Sequence, residues 1–469
     1  MKNLYIHTIG CQMNVYDSEQ MGRRLASLNY QVTQKLHQAD LILVNTCAIR
    51  DKAEQKVFSY LGRLAGLKRK NKGLIIGVGG CVAQQEGHQM LKRVPHLDLV
   101  FGTHAIGRLP ILIQQIEQRR CRLVDIEMTG LVDAFVPECE IQPNGTRTSS
   151  FVTIMQGCDN FCAYCVVPHV RGRETSRSPE SIIREIEASV TGGVREVTLL
   201  GQNVNSYGKK EGLLSFVQLL NAINQIEGLQ RIRFTTSHPK DLSQELVEAF
   251  QRIDKLCHHI HLPVQSGANR ILKRMNRRYT REQYLQQIKM LREACPDIAI
   301  SSDFIVGFPG ETETDFQDTL DLIKEVEYDS LFAFIYSDRP NAPASRFSDK
   351  LPQQVKKDRL QCLLALQEQN TVKKNQKQVG STQLILVDGR SKRHSAAGKV
   401  FSDMTIEWTG RTTGNKIVNF IPDEQMGPVK SGQLVQVKIE RALSHSLWGK
   451  PIAVKPDLSN WKGDSSYAA

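Results

Sequence analysis

Along the first 120 residues, short apolar runs alternate with amphipathic stretches. "LYIHTIG" (4–10), "ADLILVNTC" (39–47), "GLIIGVGGC" (73–81) and "LDLVFG" (97–102) read as strands. The second is continuously apolar rather than alternating, as expected of a strand buried on both faces of a parallel sheet. Helical periodicity falls between them, over 17–28, 51–70, 85–93 and 105–119. This alternation predicts a small α/β domain with a mainly parallel sheet.

"PECEIQPNGTRTSS" (137–150) is rich in Pro, Gly, Ser and Thr and reads as connecting chain. A second α/β series begins at "FVTIMQG" (151–157), with further strands at 196–200, 231–236, 258–263, 299–306 and 331–336. Its first helix, 178–191, opens with Ser178 as N-cap and Pro179 at the first helical position. Six strand–helix units are two short of an eight-fold barrel, so a partial, open TIM-like (β/α)6 barrel is expected. A helix from Pro352 to about Lys377 closes this region. Beyond it, "STQLILVDGR", "GKVFSDMTIEWTGRT", "NKIVNFI" and "GQLVQVKIERAL" are short strands broken by Gly, Asp-Gly and Pro, the pattern of a small antiparallel β-barrel. The expected α/β architecture divides into a parallel-sheet domain (1–120), a linker (121–143), the barrel (144–378), the small barrel (379–445) and a loose polar tail (446–469).

Composition narrows the class. The chain of 469 residues is long enough for about three domains. Hydrophobic content of 40% and charged content of 23% are those of a folded globular protein. No apolar run reaches the roughly 18 residues of a membrane span. The N-terminus lacks the apolar core and cleavage site of a signal peptide, so a cytoplasmic location without membrane attachment is expected. In that compartment eleven cysteines point to metal or redox use rather than disulfides. The net charge of +12 favours a polyanionic partner. Arg390, Lys392, Arg393, Lys399, Arg411 and Lys416, against Asp403 and Glu407, concentrate basic charge on the small barrel. The preceding helix adds Lys356, Lys357, Arg359, Lys373, Lys374 and Lys377. Such a face suits phosphate contacts, or is simply solvated. Trp408 and Phe420 read as barrel core ahead of base-stacking platforms.

The chemistry lies in "GCDNFCAYC" (157–165). Cys158, Cys162 and Cys165 form a CxxxCxxC run just after a strand, and the next cysteine is Cys257. Structural zinc wants four protein ligands. Three thiolates instead leave one iron of a [4Fe–4S] cluster without a protein ligand, free to bind a small molecule. A zinc site completed by His169, or three merely packed cysteines, are the bland alternatives. Cys11, Cys47 and Cys81 each end a predicted strand, and in a parallel sheet those ends share one ligand-binding edge. They could converge there as a second three-cysteine cluster, with Gly10, Gly79 and Gly80 allowing close backbone approach. Cys121, Cys139, Cys257, Cys295 and Cys362 show no ligand-like spacing.

Cys158, Cys162, Tyr164 and Cys165 resemble the CxxxCxΦC hallmark of the radical S-adenosylmethionine (SAM) superfamily, where Φ is aromatic. The resemblance implies that the open iron chelates SAM and that reductive cleavage of SAM yields a 5′-deoxyadenosyl radical. Further SAM contacts are expected after the barrel strands. Gly201 and Gln202 in "LLGQNVN", Gln265 in "HLPVQSG", and Gly307 and Gly310 in "DFIVGFPGET" are the candidates.

With the two trios, "GCQMNVYDSE", "NTCAIRDKAEQKVFSYLGRL", "GGCVAQQEG" and "GCDNFCAYCVVPHVRGRETSR" make residues 1–445 resemble the radical SAM methylthiotransferases. That family ends in a TRAM domain, an OB-like RNA-binding barrel. "AIRDKAEQKVF" and "CVVPHVRGRETSR" look like its branch acting on N6-isopentenyladenosine in tRNA. The resemblance then implies methylthiolation at C2 of that adenine, beside the anticodon. It implies two SAM molecules and two [4Fe–4S] clusters, one on Cys11, Cys47 and Cys81 and one on Cys158, Cys162 and Cys165. It also implies an electron donor such as flavodoxin or ferredoxin, a sulfur source and a monomeric enzyme. The alternatives are the sibling branches, acting on threonylcarbamoyl-adenosine in tRNA or on a ribosomal protein aspartate. From another class, an RNA-binding protein with structural metal remains.

Overall fold

The computed structural model describes residues 1–48, 51–129, 147–391, 406–422 and 428–454. The N-terminal sheet holds β1 (Lys2–Ile9), β2 (Tyr30–Val32), β3 (Leu41–Thr46), β4 (Ile75–Gly80), β5 (Leu99–Phe101) and β6 (Leu123–Asp125). Its order is β2-β1-β3-β4-β5-β6, with every pairing parallel. All six residues of β3 are buried, as its unbroken apolar run requires of a central strand. β2 and β6 are additions to the sequence reading; three residues at a sheet edge leave too short an apolar pattern to see. The first helix runs Gln12–Leu25 rather than 17–28 and begins immediately after Cys11. Between β1 and β3 the strand order reverses, which opens a crevice at their C-terminal ends.

The second unit contains β7 (Ser149–Thr153), the antiparallel pair β8 (Met155–Gln156) and β9 (Thr175–Ser176), then β10 (Glu196–Leu200), β11 (Arg231–Thr235), β12 (His259–His261), β13 (Ala299–Val306) and β14 (Ser330–Ile335). Two parallel triplets, β11-β10-β7 and β12-β13-β14, meet where Ile232 bridges Leu256. Six strands therefore form a continuous wall with β7 and β14 at its ends, unpaired with each other among the described residues. This is the expected open barrel. Its helices cover the outer face over a core from Val152 and Ile182 to Tyr328 and Leu363. Ser178 caps Pro179–Thr191 through Ser181 N–H, 3.3 Å, and the closing helix is Gln353–Gln376.

The last unit is a closed barrel of β15 (Thr382–Arg390), β16 (Trp408–Arg411), β17 (Ile417–Phe420), β18 (Leu434–Ala442) and β19 (Leu447–Val454), ordered β15-β16-β17-β19-β18. Phe420 is buried in its core and Trp408 packs against it, as expected. β19 corrects the reading of 446–469 as a loose tail, as far as Val454; residues 455–469 lie outside the described residues. Pro451 disguises this strand, since proline lacks the N–H of a ladder bond. It pairs with Val437 where β18 shifts register, and a bulge is where a strand tolerates proline.

The basic face also changes. Arg359 is buried against Glu311 at 2.6 Å and Glu313 at 3.0 Å, and Lys356 is buried. Lys374 and Lys416 share Asp329, at 3.0 and 3.2 Å, Lys373 pairs with Glu327, and Arg411 lies 3.6 Å from Asp388. Much of this expected RNA-facing charge instead ties the closing helix and small barrel to the main barrel. Lys357 and Lys377 are exposed. Lys392, Arg393, Lys399 and Asp403 lie outside the described residues, as do Cys139 and 130–143 of the linker.

Candidate active site

Sheet register creates the first cysteine site. Ile9, Thr46 and Gly80 are successive partners across β1, β3 and β4. Cys47 and Cys81 follow that row directly, and Cys11 follows one residue later. Cys11 is the N-cap of its helix: its N–H and thiol donate to Asn14 Oδ1 at 3.2 and 3.3 Å. Asn14 is held in turn by Asn45 and the Thr46 carbonyl, and Asn45 returns a bond to the Asn14 carbonyl at 2.8 Å. The Cys11 thiol is lowered to about 6, first by its hydrogen bond with Cys47, with Arg171 adding to the effect against burial. Burial pushes the Cys81 thiol up, opposed by Arg171, which hydrogen-bonds it. The three thiols therefore converge. Arg171 is itself buried and pairs with Asp17 at 2.7 Å.

The glycines beside these cysteines serve other neighbours than the sequence suggests. A Cβ on Gly10 would fall 2.4 Å from Asn14 Oδ1, and one on Gly79 2.3 Å from the Phe101 ring. Gly80 has φ +90°, and its Cβ would lie 2.4 Å from the Thr46 carbonyl. They make room for the asparagine network and the sheet, not for a bulky ligand.

The second site is a single loop. Gly157, at φ +80°, turns the chain after β8, and Gln202 Oε1 accepts from its N–H at 2.5 Å. Ala163 N–H donates to the Met275 carbonyl at 3.0 Å, and Ala344 N–H to the Ala163 carbonyl at 2.8 Å. The loop is thus pinned from three sides. Burial raises the Cys158 thiol to about 11 and the Cys165 thiol to about 12, and each also feels the charge of Cys162. Arg277, buried, donates to Cys162 Sγ and to the Tyr164 hydroxyl, both at 3.4 Å. Each trio therefore has one buried guanidinium, a counter-charge for thiolates in a low-dielectric site. Neither Arg171 nor Arg277 carries a sequence signal, because each meets its cysteines only in the tertiary fold. Asn14 does carry one: it stands three residues after Cys11, the spacing of a capping box.

The other SAM candidates are placed unevenly. Tyr164 packs beside Ala163 and Phe308. Gln202 is engaged with Gly157 and touches Met13 of the N-terminal unit. Gln265 is buried with φ +75° and bridges to β13 through Asp303 and Ile305. Beside Gly201 lies Met155, beside Gly307 Lys356, and beside Gly310 Asp349, each within 2.5 Å of the position a Cβ would take. Protein atoms thus occupy the open sides of these three glycines.

The two sites adjoin. Val166 and Val170, just after Cys165, belong to the same apolar cluster as Cys81. A cavity of about 1180 Å³ lies between the units, lined by Cys11 and Cys47 on one side. Barrel residues with inward side chains line the other, including Glu196, Arg233, His259, His261, Asp303 and Phe332. Glu196 and Arg233 form an ion pair at 2.9 Å. His261 and His259 share Ser301 Oγ at 3.0 and 3.2 Å, and burial holds His259 neutral, at about 3. Asp388, Arg411 and Asn415 of the small barrel also line this cavity. Arg231 and Arg233 seal the junction by donating to the carbonyls of Arg411, Leu384, Thr413 and Thr412 at 2.6–2.9 Å.

The donor sets fit iron–sulfur clusters. Ligands sharing one zinc ion at about 2.3 Å would lie within roughly 4 Å of each other. Among the described residues, the group of three potential ligands lying within 4.8 Å of one another is His258, Cys295 and Asp297, and neither trio qualifies, with or without His169. Three converging thiols with a cation beside them suit a soft cluster.

Residues 152–323 match the Radical SAM superfamily, residues 3–102 the Uncharacterized protein family UPF0004, and residues 376–452 the TRAM domain. The tRNA-2-methylthio-N(6)-dimethylallyladenosine synthase of Desulfosudis oleivorans is 55% identical over the whole of both chains. That of Geobacter metallireducens is 51% identical over 96% of this chain and 98% of its own. The chain belongs to the radical SAM methylthiotransferase family. Among solved structures, the radical SAM methyltransferase TsrM from Kitasatospora setae superposes with a TM-score of 0.56 at 12% identity, covering 74% of this chain and 75% of its own. The radical SAM enzyme OxsB gives 0.51 at 15% identity, covering 77% and 56%. Those likenesses concern the fold alone. In this methylthiotransferase, no helix among the described residues is long and apolar enough to cross a membrane.

Proposed function

We propose that this protein methylthiolates C2 of N6-dimethylallyladenosine in tRNA, beside the anticodon, consuming two SAM molecules. The observation that carries the reading is the pair of convergent cysteine trios, one of which faces a cavity large enough for a nucleotide. The relatives' shared name supplies the substrate. Cys11, Cys47 and Cys81 would hold one [4Fe–4S] cluster, and Cys158, Cys162 and Cys165 the other. Bound there, the barrel cluster would supply the electron that cleaves SAM, and the N-terminal cluster would supply a holding point for sulfur.

The chain's own residues position and exclude. Arg171 and Arg277 balance thiolate charge. Tyr164, Gln265 and the loops holding Gly201, Gln202, Gly307 and Gly310 form the surroundings of SAM at the C-terminal ends of the barrel strands. The target adenine leaves its stack to enter the cavity between the units. An unactivated aromatic C–H cannot be deprotonated by a side chain, which is why a radical route suits this site. Protein walls around the cavity limit quenching by water. The TRAM domain contributes phosphate contacts from its outer face. An electron donor and a sulfur source complete the reaction, in the cytoplasm where tRNA is modified.

The test is anaerobic purification with iron counting, a SAM-cleavage assay and nucleoside analysis of tRNA from a deletion strain. About eight irons per chain are expected from two clusters, together with loss of the methylthio group from dimethylallyladenosine in the deletion strain. Bound zinc without iron, or methylthio-nucleoside that persists, would overturn the reading.

A further inference from the structure

The unclosed side of the barrel carries an apolar surface that the chemistry above does not use. β14 alternates: Leu331, Ala333 and Ile335 pack outward against the barrel core, while Ser330, Phe332 and Phe334 line the cavity. Phe332 is 53% exposed, a large apolar ring left facing the cavity. It stands beside Asp303 in register and meets the His261 ring edge-on, with centroids 6.3 Å apart. Across the opening, Phe151 on β7 lines the same cavity and packs with Cys11, Met13 and Leu200. β7 and β14 are the two end strands of the wall, so these aromatic residues flank its slit. Ile9 and Val15 add apolar surface from the N-terminal unit, beside Cys11 and Cys47. Polar groups complete the lining: Lys56 and the Arg147–Glu19 pair on the N-terminal side, and Glu196, Arg233 and His259 toward the small barrel.

This mixed lining suits a ligand with an apolar arm and a polar body. A prenylated adenosine has that form, whereas the carboxylate of a threonylcarbamoyl arm placed against Phe332 would lie beside the Asp303 carboxylate and an apolar ring. We propose that the dimethylallyl arm of the target nucleotide lies against Phe332, opposite Phe151, and that Phe332 selects substrates bearing that arm. The proposal rests on the tRNA reading above and adds which residue reads the substrate.

The test uses reconstituted full-length protein and two anticodon stem-loop RNAs, one with dimethylallyladenosine and one with plain adenosine. Affinity and kcat/KM are measured for both. For Phe332→Ala, a roughly ten- to hundred-fold loss is expected on the prenylated RNA and less than about threefold on the plain one, the size of effect that apolar pocket contacts give. Phe332→Leu, still apolar, should keep most of the preference. Iron content and RNA-independent SAM cleavage should match wild type in both variants, which separates specificity from folding. An unchanged ratio between the two RNAs in Phe332→Ala overturns the proposal while leaving the function standing. A wild-type enzyme that modifies neither RNA overturns the function and the proposal together.

Discussion

In the barrel, three thiols come from eight consecutive residues; in the N-terminal unit, three come from the ends of three strands. The first site is a loop pinned by backbone hydrogen bonds to Met275 and Ala344. Its geometry depends little on the rest of the sheet. The second exists only because β1, β3 and β4 pair in register and an asparagine pair fixes the Cys11 turn. It also borrows its counter-charge, Arg171, from the other unit. A local ligand set is written in one segment even where distant residues hold it, whereas a distributed one is a property of the whole domain. Disturbing tertiary structure should therefore harm the N-terminal site first.

The largest effects come from the cysteines themselves. Cys162→Ala should lower reductive SAM cleavage to background, because the barrel cluster loses a ligand. Cys47→Ala should leave that cleavage intact and abolish methylthio transfer. Each variant should retain about four irons. Measuring iron, 5′-deoxyadenosine and methylthio-nucleoside together checks the division of labour. Identical failure of both folded variants would show that the trios act as one unit.

Arg171 tests the borrowed charge. Arg171→Ala leaves the Asp17 carboxylate buried and unpaired, which costs roughly 3–5 kcal/mol. Urea unfolding should show that loss, and iron should fall at the N-terminal site while SAM cleavage persists. The double variant Arg171→Leu, Asp17→Leu removes the unpaired charge and should recover most of the stability. It should not recover the iron, since the cation beside Cys11 and Cys81 is still missing. Recovery of both would make Arg171 a purely structural residue.

The same contrast decided what could be read from the sequence. The barrel trio was plain, because its ligands are neighbours in the chain. The six barrel strands are plain as well, because each is a short stretch of strand-forming or alternating residues between helical patterns. The N-terminal trio was legible only through topology: cysteines at predicted strand ends share an edge once the sheet is parallel. What supports that trio is less legible. The helix start at Gln12 is missed because its N-cap is Cys11 rather than a usual cap residue, although Asn14 stands at the capping-box spacing. Arg171 lies 154 residues from Asp17, and no local pattern links them. Charge misled on the closing helix, where composition cannot tell a lysine facing RNA from one paired to Asp329. Proline misled at β19, where a bulge accommodates it.

Gln202 gives the smallest effect and bears on both sites. Its Oε1 holds Gly157 at the start of the barrel loop, and its Nε2 touches Met13 in the turn after Cys11. The sequence makes it a candidate SAM contact, and its hydrogen bonds suit a tether between the units. Gln202→Ala removes a half-buried hydrogen-bond acceptor and leaves the N–H of the buried Gly157 without it, a cost of about 1 kcal/mol. As a tether, it should slow SAM cleavage through poorer retention of the barrel cluster, with KM for SAM unchanged in the fully loaded fraction. As a cofactor contact, it should raise KM for SAM at full iron content. Titrating SAM at measured iron loading separates the two. The tether alone also predicts a faster loss of iron from the N-terminal trio, because only a link between the units transmits a loop substitution across the interface.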